Sequence, residues 1–70
     1  MKAYTVNKNI KRCILEQDKK PSAVADRAGI RRDTFSRIMN NKRPVYADEV
    51  VPIAMALGVE LDTLFQEVSA

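Results

Sequence analysis

Apolar residues recur along the chain at steps of three and four, and nowhere do they alternate with polar ones over the length of a strand. Breaks at Pro21, Gly29, Arg43-Pro44 and Gly58 leave five segments of helical length, so an all-α fold is predicted. In the first segment Ile10, Cys13, Ile14 and Gln17 form an inward stripe while Lys8, Lys11 and Arg12 face water. Asn7 stands where an N-cap is expected, giving a helix over about 7–19. Pro21 suits the first position of a second helix, 21–28, because its missing N–H would be unpaired there in any case. That helix buries Val24, Ala25 and Ala28 and stops at Gly29, which takes a left-handed cap without steric cost. Phe35, Ile38 and Met39 mark the buried stripe of a third helix, about 32–40. Its outer row carries Arg32, Ser36 and Asn40, beside a second row of Asp33 and Arg37. Two short helices joined through Gly29 make a helix-turn-helix.

Pro52 interrupts the fourth apolar pattern, since it cannot donate to the residue four earlier. With Asp48 as N-cap, the proline deletes only the first hydrogen bond of a helix over about 49–57. Gly58 ends that helix. Leu61, Leu64, Phe65 and Val68 then supply the apolar side of a fifth, with Glu60 and Asp62 at its positive N-terminal end.

The 70 residues are 46% hydrophobic with two glycines and three prolines, and 1–70 are expected to form one packed domain. A core this small supplies roughly 3–5 kcal/mol, and the single Cys13 cannot form an intrachain disulfide, so helix packing or self-association must hold the fold. Cys13 reads as a small buried hydrophobe without a function of its own. Without histidine, and with one cysteine, most zinc sites and any His-based triad are excluded, so no enzyme, cofactor or metal site is predicted. No apolar run approaches the roughly 20 residues of a membrane span. The polar start is unlike a signal peptide, and a cytoplasmic location is expected.

Charge changes the picture most. All twelve Lys and Arg precede Pro44; set against Glu16, Asp18, Asp26 and Asp33 they leave residues 1–43 at +8, whereas residues 44–70 carry −5. Such a field attracts a polyanion to one end and holds the other off it, as nucleic-acid binders require, although a solvated mixed surface is the plain alternative.

Residues 21–40 resemble the helix-turn-helix of the phage repressor and Cro family, also called the XRE family. Counting from Pro21, that family wants a small residue at the fifth place, glycine at the ninth, and apolar residues at the fourth, eighth, tenth, fifteenth and eighteenth. This chain has Ala25, Gly29, Val24, Ala28, Ile30, Phe35 and Ile38 there. The physical reasons stand independently: Ala25 lets the helices approach, Gly29 makes the turn, and the apolar set fills their shared core. Asn40-Asn41-Lys42-Arg43-Pro44 resembles the family's Asn-Gly-Lys-x-Pro loop, and residues 53–65 its closing helix pair, so the resemblance covers about 7–66. It implies a compact five-helix, lambda-repressor-like domain. There are departures. Pro21 replaces a glutamine that contacts DNA in many members, so that contact is expected to be absent. Asn41 replaces the loop glycine and tolerates its left-handed geometry. Ile14 and Met39 stand where many members set an ion pair, so an apolar contact is expected to replace it.

On this fold, the third helix enters the DNA major groove N-terminus first. Arg32, Asp33, Ser36 and Arg37 are the expected base readers: arginine's fork suits guanine O6 and N7, and Asp33 either accepts from cytosine N4 or pairs with Arg37 to orient it. For Arg32 and Arg37 the alternative is a solvated face. Asn40, Asn41, Lys42 and Arg43 are expected to grip phosphate, and Arg31 to do either. The function expected is a sequence-specific DNA-binding transcriptional regulator, a repressor or Cro-like switch. The alternatives are the antitoxin of a toxin pair and a protein-binding adaptor that kept the fold. One short helix reads too few base pairs, so a homodimer on double-stranded DNA with an inverted-repeat operator is expected, completed on DNA if its interface is small. Leu64, Phe65 and Val68 are its candidate contacts; the alternative for Leu64 and Phe65 is that they close the core.

Overall fold

The computed structural model describes residues 4–67, and these hold five α-helices: α1 Thr5–Glu16, α2 Pro21–Ala28, α3 Arg32–Met39, α4 Ala47–Leu57 and α5 Leu61–Phe65. α2 packs against α3 and α4, while α1 lies across α3, α4 and α5. Their shared core contains Ile10, Cys13, Ile14, Val24, Phe35, Ile38, Ile53, Leu57 and Leu64, with Ala25 fully buried where α2 needs a small residue. Burial raises the Cys13 thiol pKa, which keeps it protonated and inert.

α2 runs over the expected residues, with Pro21 in its first turn and Gly29 closing it at φ 72°. The Ile30 N–H then reaches back to the Ala25 carbonyl at 2.9 Å. Asn41 takes left-handed backbone in the same way, at φ 56°, and lets the Lys42 N–H bond the Arg37 carbonyl at 2.9 Å. α3 ends at Met39, one residue earlier than expected.

The bounds of α1 differ from expectation at both ends. Asn7 is no cap: it lies inside the helix, 1% exposed, and its Nδ2 donates to the Ile38 carbonyl at 3.0 Å and the Arg43 carbonyl at 2.7 Å. Asn9 does the same for the far side of the molecule, donating to the carbonyls of Leu64 and Gln66, both at 2.8 Å. Helix α1 therefore starts earlier, because Thr5, Val6 and these two asparagines are buried. It also stops before residue 19. Asp18 adopts φ 54°, one of the few side chains that tolerate it, and the Lys19 N–H turns back to the Ile14 carbonyl at 3.0 Å. Gln17 consequently leaves the inward stripe and is exposed, while Arg12, expected in water, is half-buried. Ile14 is buried and Met39 half-buried against the same core.

α4 begins at Ala47, with Tyr46 rather than Asp48 at its N-cap. The correction has a clear cause: the Glu49 carboxylate, at the third helical position, reaches back to accept the Tyr46 N–H at 2.9 Å. Pro52 thus lies well inside the helix and has no N–H to give the Asp48 carbonyl. α5 is a five-residue helix in which Leu64 is fully buried. Among the described residues no helix is long and apolar enough to cross a membrane.

Candidate nucleic-acid interface

The turn at Gly29 sets α3 so that its apolar stripe, Phe35 and Ile38, is at most 1% exposed while Arg32, Asp33, Ser36 and Arg37 all face solvent. The 3.6-residue period alone produces this division. The outer row is not uniform, because several of its members are already engaged.

Arg32 forks onto Asp26 of α2, with Nε to Oδ1 at 3.1 Å and Nη2 to Oδ2 at 2.6 Å. The hydrogen bond from Arg32 holds the Asp26 carboxyl below its ordinary pKa. This strap across the turn leaves Nη1 and the second proton of Nη2 unused by Asp26. Asp33 does not pair with Arg37. Its partner is Arg31, at 3.3 Å from Nε to Oδ1, because Arg31 sits at the N-cap of α3 and the carboxylate in its first turn. Arg37 has no side-chain partner among the described residues. Asn40 turns back along the helix, its Nδ2 donating to the Ser36 carbonyl at 2.9 Å and lying 3.4 Å from Ser36 Oγ.

The loop after α3 divides its basic residues. Asn41 and Lys42 are exposed, and Lys42 has no side-chain partner among the described residues. Arg43, expected on phosphate, is instead drawn inward. Its Nη1 and Nη2 bond the Glu49 carboxylate, both at 2.9 Å, with the two side chains 19% and 16% exposed. Nη1 also donates to the Pro44 carbonyl at 3.1 Å, and the guanidinium lies 4.1 Å from the centre of the Tyr46 ring. The Arg43 hydrogen bonds lower the Glu49 pKa, helped by the Tyr46 N–H. The Asn7 amide of α1 also pins the carbonyl of Arg43, the residue whose side chain meets Glu49 of α4.

At the opposite end, Leu64 is fully buried and closes the core, so it offers no dimer surface. Phe65 is 41% exposed, as is Leu61, which the sequence did not single out as a contact. Val68 lies outside the described residues. The sequence reading also missed Asn7, Asn9, Asp26 and Glu49. Apart from the Tyr46 N–H that Glu49 accepts from three residues back, their partners sit at separations no helical period predicts, from six residues for Asp26 and Arg32 to 57 for Asn9 and Gln66.

Comparison with known families finds that the model of the Cro/C1-type HTH DNA-binding domain matches residues 9–68. No curated protein and no solved structure matches the chain.

Proposed function

We propose, since the chain belongs to the family of Cro/C1-type helix-turn-helix DNA-binding domains, that it is a sequence-specific transcriptional regulator that acts by occupying its operator. The observation that carries this reading is the outer face of α3, where Arg37 stands exposed and unpartnered among the described residues beside an Arg32 already oriented by Asp26. Arg37 donates its fork to guanine O6 and N7. Arg32 uses the donors that Asp26 leaves free, and Ser36 fills the space between them. Asp33 positions Arg31 at the start of α3, where that arginine meets phosphate. Asn40, Asn41 and Lys42 grip the backbone on the other side, which sets affinity and salt dependence without reading sequence. Arg43 is left out of the grip, since its fork closes the loop onto Glu49.

The 70 residues act as one domain, in the cytoplasm, without catalysis or cofactor. Two copies bind an inverted repeat with half-site centres about 10 base pairs apart. Leu61, Phe65 and Val68 contribute the contact at the acidic end, leaving the basic end to DNA. Selection of bound duplexes from a random pool, followed by sedimentation of the complex, tests both parts. The expected result is an enriched inverted repeat carrying two chains. No enriched sequence would overturn the regulator in favour of a protein-binding role, and one chain on a site without a repeat would overturn the dimer.

A further inference from the structure

A groove of about 370 Å³ opens beside the outer row of α3, between it and the start of α2; its lining includes Pro21, Ser22, Arg32, Phe35, Ser36, Met39 and Asn40. Of its polar members, Arg32 turns to Asp26 and Asn40 to Ser36, while Ser22, Ser36 and the Arg32 donors that Asp26 leaves free also line it. The floor between them is apolar. Pro21, exposed in the first turn of α2, has neither an N–H nor a polar side-chain atom, and the half-buried Met39 offers only a thioether, a weak acceptor. A base edge set over this floor finds nothing with which to exchange a strong hydrogen bond.

Only one feature of the major-groove edges suits such a surface. The groove displays donors and acceptors from every base, but a single apolar group, the C5-methyl of thymine. Resting on the reading of α3 as the DNA-reading helix, we propose that the groove between Pro21 and Met39 is a specificity site for a C5-methylated pyrimidine. Arg37 selects by hydrogen bonding; this site selects by excluding water from a methyl group. Thymine and 5-methylcytosine carry the same group, and the chemistry of the groove favours both over their unmethylated counterparts.

The test uses the duplex obtained by selection and replaces each thymine in turn by uracil, which removes the methyl and leaves the pairing intact. One position per half-site is expected to weaken binding about fourfold, the worth of one buried methyl-sized group. Cytosine placed there is expected to bind more weakly than 5-methylcytosine by the same factor. In Pro21→Ala, which removes the ring from an exposed helical first turn, both differences are expected to fall to nearly one, with melting temperature as the check on folding. Uracil tolerated at every position by the wild-type protein would overturn the site while leaving DNA recognition standing. So would an equal uracil effect in Pro21→Ala, which would place the methyl contact elsewhere. Failure of any duplex to be selected would instead strike the DNA-reading role itself.

Discussion

Replacing Asn7 by alanine removes a side chain that ties α1 to both the end of α3 and the loop beyond it. Its Nδ2 holds the Ile38 carbonyl at 3.0 Å and the Arg43 carbonyl at 2.7 Å from a position 1% exposed. The Ile38 carbonyl keeps a second donor, the Asn41 N–H at 3.2 Å, whereas the Arg43 carbonyl loses its partner. Two hydrogen bonds are worth about 1 kcal/mol each net, and a stranded carbonyl adds about 1–3 kcal/mol. Part of this is returned, because the buried Oδ1 of Asn7 has no partner among the described residues and disappears with the side chain. The expected loss is therefore about 2–3 kcal/mol, or roughly 8–24 °C in Tm for a domain of this size, read by circular dichroism. Asn7→Asp separates donor loss from volume loss. A carboxylate buried against two carbonyls is raised in pKa, so its neutral form is the tolerated one. Its deficit relative to wild type is then smallest below an unfolded value of about 3.9 and grows as pH rises through the higher folded value. Melting of Asn7→Ala within about 2 °C of wild type would refute the claim that this amide holds the loop.

The remaining expectations concern the reading face, the loop clasp and the turn. Arg37→Ala should lose about 1–3 kcal/mol on the selected site and relax choice at one base pair, while Lys42→Ala should weaken all duplexes nearly equally and lower the salt slope by about one. Reversed outcomes in competition gel shifts would exchange reader and gripper. Arg43 hydrogen bonding holds the Glu49 pKa below its ordinary 4.5, so the stability this pair contributes is present above that value and lost as pH falls through the lower folded one. Glu49→Gln should therefore flatten that part of the acid-unfolding curve, and an unchanged acid limb would show the pair to be inert. Gly29→Ala should destabilise by about 1–2 kcal/mol through its backbone alone, since φ is 72° and a Cβ there meets nothing within 4 Å; chemical denaturation checks it, and a neutral result would show that the turn relaxes.

What was legible in the sequence is what the backbone decides locally. Pro21 and Gly29 bracket α2 because one fixes φ and the other frees it, and Asn41 makes its left-handed turn for a related reason. The stripe of Val24, Ala25, Phe35 and Ile38 is buried as its spacing requires, and the same period put Arg32, Ser36 and Arg37 outside. The failures lie where a polar side chain had several partners to choose from. Asn7 reads as a cap because asparagine caps helices, yet its partners stand 31 and 36 residues away. Asp48 is the better capping residue by type, but the reach of Glu49 back to Tyr46 moves the start of α4. Arg43 and Lys42 are equivalent as charges. Only the fold, by bringing Glu49 beside one of them, makes Arg43 a clasp and leaves Lys42 exposed.

The central claim is that the exposed face of α3 reads sequence, and the specificity ratio measures it directly. Titrating the selected duplex and a scrambled duplex of equal length and composition, at one fixed salt concentration, should give affinities about 1,000-fold apart or more. Arg37→Ala should shrink that ratio by weakening the selected duplex while leaving the scrambled one nearly unchanged. Equal affinity for the two duplexes, or an Arg37→Ala loss shared equally between them, would contradict the account.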